Sequence, residues 1–524
     1  MQEIEEQTPA SWQDTMRDLM NPSVSIMLFL GFSAGLPILL IFSSLSLWLG
    51  EAGVEKKAVT FFSWAALGYS FKFIWAPLID KLPLPWLTRQ LGRRRSWLLV
   101  AQVAVIGAIV WMGSTNPANG IDSLTFMAYA AVLLGFSSAT QDIVIDAYRI
   151  EIAEPRLQAL LSSTYIVGYR IAMLIAGAGT LFIASTLGTE TDNYLYSAWQ
   201  WAYYAMAGFM LLGVLTTLFI PEPVNPQKTK YSYATSDYLR LVAMFVLVVA
   251  AFVTAFFFSN RDFFAPLKAA WGDTALGNFV LEVLHFALAI AVAFLAGFLL
   301  VKLRLINKAM AYETWIAPIV EFFQRYGLRT ALLLLALVGF YRISDIVLGV
   351  ISNVFYQDMD FTKPEIATAV KTFGLFMTIF GGIFGGILAV RFGVMRMLLW
   401  GAILSACTNL LFILLAQVGH QLPMLYLVVA ADNLAAGLAS AAFIAFLSAL
   451  TNISFTAVQY AIFSSLMTLL PKVTGGYSGS IVDNIGYTGF FTFTTLVGIP
   501  VIYLVIRAGK ELKVHDQAQA AAQN

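Results

Sequence analysis

The chain has 524 residues, of which 59% are hydrophobic and 12% are charged, whereas about a quarter of the residues in soluble domains are charged. This composition excludes an ordinary soluble domain. The formal net charge is +1, and no basic cluster is interleaved with aromatic residues, which argues against nucleic acid as a partner. The single cysteine, Cys407, has no second cysteine for an internal disulfide. The sequence therefore predicts an all-α polytopic membrane protein that has the lipid bilayer around it.

Membrane spans are predicted from the apolar runs, because about 20 apolar residues suffice to cross the hydrocarbon core. Residues 1–22 lack the basic segment of a cleaved signal peptide, so we expect the first run to remain as a span. The predicted spans, numbered 1 to 14 in chain order, lie near 24–50, 58–79, 96–114, 122–148, 160–187, 198–220, 240–259, 277–301, 329–356, 364–390, 397–417, 423–450, 457–483 and 487–507.

The loops between spans differ in charge on the two sides of the membrane. Most Lys and Arg residues outside the spans fall in the loops on one side, for example Arg93, Arg94 and Arg95 between spans 2 and 3. Basic loops stay in the cytoplasm. The sequence therefore predicts that both termini are cytoplasmic.

An internal repeat divides the chain. Glu51 and Lys56 follow span 1, Asp358 and Lys363 follow span 9 at the same spacing, and each pair precedes an apolar run that ends in basic residues. This pattern predicts two related six-span halves with a substrate site between them near mid-membrane. The predicted regions are an N-terminal cytoplasmic segment at 1–23, a six-helix bundle at 24–220, a cytoplasmic linker at 221–239, an inserted transmembrane pair at 240–303, an amphipathic cytoplasmic linker at 304–328, a second six-helix bundle at 329–508 and a cytoplasmic tail at 509–524.

Ionisable residues inside the spans are functional candidates, because charge within a membrane is costly. Asp142 and Asp146 in span 4 are four residues apart and share one face of a helix. Two cations within the spans of each half form an arrangement suited to holding an anion between moving halves. These cations are Lys72, Arg170, Arg342 and Lys371.

Three of these four cations also have a structural interpretation. Arg170 is either a direct ligand or a partner in a structural ion pair. Arg342 lies three residues before Asp345, so the two could form an ion pair on one helix. Lys72 could extend its amine towards the membrane surface.

Coupling to protons requires a carboxylate that can load and release a proton, and loss of water favours the neutral form of such a group. Asp142, Asp345 and Asp432 are the candidates. Asp142 could instead be a second partner for the arginines after span 2, and Asp432, followed by Asn433, could be a hydrogen-bonding residue between packed helices.

The loop after span 2 carries a recognisable motif. Ala76-Pro-Leu-Ile-Asp80-Lys81, followed by Gly92-Arg93-Arg94-Arg95, resembles the Gly-x-x-x-Asp-Arg/Lys-x-Gly-Arg-Arg signature of the major facilitator superfamily, with an insertion and with Ala76 in place of the first glycine. The second half keeps the spacing from Gly386 to Arg396, with Val390 at the position of the acid. The resemblance implies a major facilitator fold of two six-helix bundles, here with two additional central helices in a 6+2+6 order.

The same resemblance implies a cytoplasmic gate. The gate would comprise Asp80 and the three arginines Arg93, Arg94 and Arg95. One of these arginines would pair with an acid at the inner end of span 4, and Asp146 is well placed for that role.

A narrower resemblance is spread over both halves and covers most of the chain outside about 222–325. The chain is similar to the AmpG-type muropeptide permeases of Gram-negative bacteria in Leu30-Gly-Phe-Ser-Ala-Gly35-Leu-Pro37, Phe71-Lys72-Phe-Ile-Trp-Ala-Pro77, Gln141-Asp142-Ile-Val-Ile-Asp146-Ala, Gly168-Tyr169-Arg170, Lys371-Thr-Phe-Gly374, Asp432-Asn433-Leu, Ala441-Ala-Phe443 and Thr456-Ala-Val-Gln459-Tyr460. Family members with fourteen spans can carry the extra pair at the C-terminal end, so its central position here is a departure.

This resemblance implies proton-coupled import of anhydro-muropeptides (GlcNAc-anhydroMurNAc-peptides) from periplasm to cytoplasm across the bacterial inner membrane, for cell-wall recycling. We expect a monomer that alternates access and uses no cofactor beyond the proton gradient. Peptide carboxylates of the ligand need fixed cations, and its hydroxyls and amides need polar neutral groups. The expected substrate ligands are Lys72, Gln141, Tyr169, Arg170, Arg342, Lys371, Asn433 and Gln459.

Other functions are less well supported by the sequence. The chain has three histidines and no His-Glu-x-x-His or Gly-x-Ser-x-Gly pattern, which argues against a membrane enzyme. Glu282 and His285 could bind a proton or a metal, but a hydrogen-bonded pair is the simpler interpretation, and no metal is predicted. The Gln-Asp-Ile-x-x-Asp motif also resembles relatives of the acetyl-CoA transporter. A carrier of an acyl-CoA, nucleotide or short peptide therefore remains open, as does a transporter-fold sensor.

Overall fold

The computed structural model describes residues 12–55, 62, 67–190, 193–224, 233–271, 275–475 and 478–523, and these residues are helical nearly throughout. Among them, 12 helices are long and apolar enough to cross a membrane. This confirms the predicted all-α membrane protein. The 12 helices correspond to every predicted span except 2 and 13, so the count of fourteen is not confirmed. Span 2 lies partly outside the described residues, and the apolar helix of span 13, Ile453–Leu469, is shorter than the others.

The first half begins with a short helix before the membrane and contains several interrupted helices. Its helices are Trp12–Leu19, Pro22–Ile41 and Ser43–Glu51 (span 1), Leu67–Phe71, the 3-10 turn Lys72–Ile74 and Ala76–Lys81 (span 2), Leu87–Leu91, Arg93–Gly113 (span 3), Ile121–Ile152 (span 4), Gln158–Leu174, the π-helical Ile175–Gly179 and Thr180–Thr186 (span 5), and Tyr196–Phe219 (span 6).

The rest of the chain contains the inserted pair and the second half. Its main helices are Thr235–Ser259, Asn260–Phe264 and Ala265–Trp271 (span 7), Ala275–Lys302 (span 8), Lys308–Ala311, Tyr312–Ile316 and Ala317–Phe340, Ile343–Asp358 (span 9), Lys363–Ile366, Ala367–Phe373 and Gly374–Phe392 (span 10), Val394–Val418 (span 11), Leu422–Leu450 (span 12), Thr456–Gly475 (span 13) and Ser478–Gln523 (span 14). Gly327, with φ +74°, breaks Ala317–Phe340 within one residue of the predicted end of the amphipathic linker.

These residues form two compact units, of which the smaller comprises Pro77–Pro83 and Pro226–Phe322. In this smaller unit, spans 7 and 8 pack along each other. His285 of span 8 is buried, its Nε2 lies 2.8 Å from the carbonyl oxygen of Phe256, and its ring stacks on the Phe256 ring at 4.1 Å. The side chain of Glu282 lies outside the described residues. The described part of the chain holds no group of side chains suited to a metal ion.

The larger unit contains both six-span halves, and the same pairs of helices pack in each. Span 3 packs on spans 4 and 6 in the first half, and span 11 packs on spans 12 and 14 in the second. The contact between the halves is also symmetric, since span 5 packs on spans 10 and 12 while span 13 packs on spans 2 and 4. The packing therefore follows the internal repeat of the sequence. We call the ends of these helices that carry Arg93–Arg95, Arg149 and Arg391 the basic end.

Glycines set the distance between spans 1 and 5. A Cβ added to Gly168 would lie 1.9 Å from the carbonyl oxygen of Leu28, and one added to Gly35 would lie 2.3 Å from the carbonyl oxygen of Tyr169. No larger residue fits without moving a backbone. The glycines of the Leu30–Pro37 and Gly168–Arg170 segments therefore let two spans touch, and this close contact fixes the backbone that carries Tyr169 and Arg170.

Candidate functional site

Two of the four cations, Arg170 and Lys371, have no carboxylate partner within ion-pair distance among the described residues, and of these only Arg170 is half-buried, since Lys371 is exposed. The Arg170 side chain is half-buried, and its one polar contact among the described residues is a long one of 3.9 Å from Nη1 to the sulfur of Met173. Arg342, on the other half, lies close enough for the two positive charges to repel each other. Arg170 is therefore a half-buried positive charge without a direct counter-charge in the described part of the chain.

Arg342 stands at a break in span 9. The helix Ala317–Phe340 ends, Tyr341 and Arg342 form a turn, and the next helix starts at Ile343. Interrupted helices of this kind supply the ligands in many transporters. Arg342 Nε lies 3.2 Å from Asp345 Oδ2, and Nη1 donates to Ser440 Oγ at 2.6 Å. The predicted ion pair of Arg342 and Asp345 is confirmed as a contact, and Ser405 also donates to Asp345.

Asp432 lies near this pair on span 12. It accepts a hydrogen bond from Thr408 Oγ1 at 3.3 Å and has no ion-pair partner among the residues that the structure describes. Its neighbour Asn433 accepts from Thr378 Oγ1 at 2.8 Å and donates to the carbonyl oxygen of Val429 at 2.9 Å. Asn433 thus ties span 10 to span 12. We call Arg342, Asp345 and Asp432 the C-terminal cluster.

The first half contains a denser group that we call the N-terminal cluster, formed by Lys72, Asp142, Asp146 and Arg149. Lys72 lies on the 3-10 turn that breaks span 2, and its Nζ is 3.4 Å from Asp146 Oδ2. The other oxygen of Asp146 lies 3.3 Å from Arg149 Nη2. Asp142 is buried, and its Oδ1 has no hydrogen-bond partner in the described part of the chain. Asp146 is therefore held by two cations, whereas Asp142 is left with none in direct contact.

Arg149 extends from the N-terminal cluster to the other half. Its side chain is fully buried, and Nη1 donates to Ser162 Oγ of span 5 at 2.7 Å and to Ser448 Oγ of span 12 at 2.9 Å. The guanidinium also lies over the Tyr460 ring of span 13 at 5.1 Å. Arg149 thus joins spans 4 and 5 of one half to spans 12 and 13 of the other.

The expected pairing of the Arg93–Arg95 motif with Asp146 is wrong, because the acid is Glu151. Arg94 donates to both Glu151 oxygens, from Nε at 3.0 Å and from Nη2 at 2.6 Å, and Arg93 Nη2 lies 3.5 Å from the same carboxylate. Glu151 is five residues further along span 4 than Asp146, which is about 7.5 Å closer to the basic end at ~1.5 Å per residue. Thr456 of the other half also donates to Glu151, at 2.8 Å.

The remaining parts of the motif have structural roles. The carboxylate of Glu222 accepts from the backbone amides of Arg94 at 2.8 Å and Arg95 at 3.0 Å, which satisfies free donors at the start of span 3. Gly92 has φ +85°, and a Cβ there would lie 2.3 Å from Glu222 Cγ. Arg95 Nε donates to the carbonyl oxygen of Thr217 near the end of span 6 at 2.9 Å. Asp80 is buried in the helix Ala76–Lys81.

The other predicted ligands lie in different surroundings. Gln141 is fully buried within the first half, where its oxygen accepts from Ser33 at 3.0 Å. The Gln459 oxygen accepts from the backbone amide of Asn452 at 2.8 Å, so it holds the turn at the basic end. Lys371 is exposed and donates to Asn353 at 2.9 Å. The structure therefore does not gather the eight predicted ligands into one group. Tyr169, beside Arg170, packs on Tyr165 with ring centroids 6.0 Å apart.

Sequence reasoning missed Glu151, Ser448 and the bridging contacts of Arg149. Glu151 carried a detectable signal, because it is an acid at the basic end of span 4, next to the arginines that need one. Ser448 carried no such signal, since a serine in an apolar run is common and its partner is 299 residues away.

Comparison with known proteins gives consistent results. A family model described as Major Facilitator Superfamily matches residues 23–341. The chain is 28% identical over 492 residues to an anhydromuropeptide permease of Escherichia coli K12, with 94% of this chain and 80% of the relative covered. It is 29% identical over 485 residues to putative transporter AmpG 4 of Rickettsia conorii, with 93% and 96% covered. The predicted resemblance is confirmed.

Solved structures share the fold at low identity. The proton:xylose symporter XylE bound to 6-bromo-6-deoxy-D-glucose aligns with a TM-score of 0.57 and 13% identity over 93% of this chain and 94% of that chain. The Escherichia coli fucose:proton symporter FucP aligns with a TM-score of 0.58 and 10% identity over 93% and 98%. At these identities the likeness concerns the fold alone.

Proposed function

Because the chain belongs to the major facilitator superfamily, we propose that it is a proton-coupled secondary transporter that imports anhydro-muropeptides by alternating access. The direction is from periplasm to cytoplasm across the bacterial inner membrane, with both termini in the cytoplasm. The protein acts as a monomer, is not an enzyme and uses the proton gradient in place of a cofactor. The similarity to a relative named anhydromuropeptide permease, over nearly the whole chain, supports this choice of substrate.

The observation that carries the proposal is the unpaired Arg170 beside Arg342. The guanidinium groups of Arg170 and Arg342, on opposite halves, carry like charges that repel each other. A carboxylate of the peptide would relieve that repulsion and would accept charge-assisted hydrogen bonds from both. Arg170 therefore supplies the free cation, and Arg342 supplies a cation already positioned by Asp345 and Ser440.

The carboxylates without a direct cationic partner are the proposed proton carriers. Asp142 in the first half and Asp432 in the second fit this description, whereas Asp146 and Asp345 each pair with an arginine. A buried carboxylate that lacks a cation can compensate its charge by binding a proton. Of the three predicted coupling residues, we therefore propose Asp142 and Asp432, and not Asp345, as proton carriers.

The experiment is uptake of labelled anhydro-muropeptide by proteoliposomes under an inward proton gradient, with and without a proton ionophore. We expect saturable uptake that the ionophore abolishes and that Arg170→Ala lowers by about 10- to 100-fold, which corresponds to the loss of one or two hydrogen bonds to a charged group. The matched control is Arg261→Ala, which removes an exposed arginine paired with Asp262. Absence of uptake by folded wild-type protein would reject the muropeptide and direct the search to acyl-CoA, nucleotides and short peptides.

A further inference from the structure

Arg149 makes contacts of two kinds through a single guanidinium. Asp146 and Ser162 belong to its own half, and Ser448 and Tyr460 belong to the other half. If the halves move as rigid bodies during alternating access, the first two contacts persist when the basic end opens. The contacts with Ser448 and Tyr460 must break.

Because Arg149 is buried, its contacts determine whether its charge is compensated. Its side chain has no exposed surface, and a buried guanidinium requires hydrogen-bond partners and a counter-charge. Asp146 supplies the counter-charge at 3.3 Å and is itself shared with Lys72 at 3.4 Å. The position of Arg149 therefore depends on the ion pair of Lys72 and Asp146.

We propose that Arg149 is a positioning residue that transmits the state of the Lys72–Asp146 ion pair to the contact between the halves. While Asp146 holds Nη2, Nη1 is directed at Ser448 and the basic end stays closed. Loss of the Asp146 charge removes the anchor and weakens the hold on the other half. This inference rests on the proposed function, because it assumes that the halves separate at the basic end.

Ser162 and Ser448 both accept a hydrogen bond from Arg149 Nη1, so their alanine variants form a matched pair. Ser448→Ala removes a hydrogen bond that exists only while the basic end is closed. Ser162→Ala removes a hydrogen bond to the same Nη1 that is present whether the basic end is open or closed. A general effect on the surroundings of Arg149 would change both variants alike, whereas the proposed role separates them.

The reporter is a cysteine at position 163 in a Cys407→Ser background. Ser163→Cys is nearly isosteric, Ser163 is 1% exposed, and its Oγ lies against Gly386 of the other half, where an added Cβ would be 2.0 Å away. The position is therefore covered while the halves are in contact. The rate at which a small soluble maleimide alkylates this cysteine, measured without substrate, reports the fraction of molecules with an open basic end.

We expect Ser448→Ala to raise the alkylation rate about tenfold, the effect of one hydrogen bond to a charged group. The alkylation rate of the Ser162→Ala variant should stay within about twofold of the parent rate, and Ser448→Thr should restore the parent rate. The alkylation rate of the Asp146→Asn variant should be higher than that of Ser448→Ala. Equal rates for the two alanine variants, or no increase for Ser448→Ala, would overturn the proposal. Since no muropeptide is present, failure of the proposed substrate in uptake assays would leave this result unaffected.

Discussion

The N-terminal and C-terminal clusters differ in how the charges of their side chains are compensated and in how deeply they are buried. In the N-terminal cluster Asp146 is shared by Lys72 and Arg149, and Arg149 is completely buried against the other half. In the C-terminal cluster Arg342, in the turn before span 9 resumes, pairs with Asp345 in the first turn of the following helix, and its side chain remains 24% exposed. The first cluster is therefore built into the contact between the halves, whereas the second is partly exposed. In the proposed function, the residues that hold the halves together are therefore different from those that bind the substrate.

The largest expected difference between the clusters concerns stability. Asp146→Ala leaves Arg149 and Lys72 buried without their counter-charge, and we expect it to lower the free energy of unfolding by about 3–5 kcal/mol. Asp345→Ala leaves the partly exposed Arg342 in contact with Ser440, so a loss of about 1–2 kcal/mol is expected. Thermal unfolding of the two variants in detergent measures the difference. Equal losses would contradict the contrast between a buried and an accessible cluster.

The second comparison concerns the two arginines that repel each other. Arg342→Ala removes the partner of Asp345 and should lower stability by about 1–2 kcal/mol, because a carboxylate loses its ion pair. Arg170→Ala removes a charge without a carboxylate partner and should leave stability unchanged or slightly raised. The same unfolding measurement, with Arg261→Ala as control, distinguishes them. A marked destabilisation by Arg170→Ala would indicate that Arg170 has a structural role after all.

The third comparison concerns proton coupling by the carboxylates of the two clusters. One proton carried with each solute sustains about a tenfold accumulation for each unit of pH gradient, which is about 1.4 kcal/mol. If Asp432 carries that proton, Asp432→Asn should still exchange muropeptide across the membrane but should no longer accumulate it. Asp142→Asn provides the equivalent test for the N-terminal cluster. Steady-state accumulation at a fixed pH gradient identifies the carrier, and full accumulation in both variants would exclude both residues.

Much of the fold could be predicted from the sequence, because it depends on local patterns. The apolar runs indicate the spans, the repeated Glu51–Lys56 and Asp358–Lys363 pairs indicate two halves, and the described helices follow both. The break at Gly327 in the helix Ala317–Phe340 lies one residue before the predicted boundary at 328.

The arrangement of the site could be predicted only in part, because it depends on contacts between distant segments. The ion pair of Arg342 and Asp345 follows from a spacing of three residues, and it is present. The partner of Arg94 could not be chosen correctly between two acids on one helix without knowing the depth at which spans 2 to 4 pack. The breaks at Lys72 and Arg342 could not be distinguished from unbroken helix, because Gly68 and Gly339, which precede them, resemble glycines such as Gly135 that lie inside a continuous helix.

The central claim is that Arg170 is the free cation that recognises an anionic substrate. The most direct test measures the affinity of the purified protein for an anhydro-muropeptide and for the same compound with its peptide carboxylates amidated. Wild-type protein should bind the free acid about 10- to 100-fold more tightly, and Arg170→Ala should lose most of that preference. An equal preference for the free acid in wild type and Arg170→Ala would show that Arg170 does not contact the carboxylate, and would contradict this account.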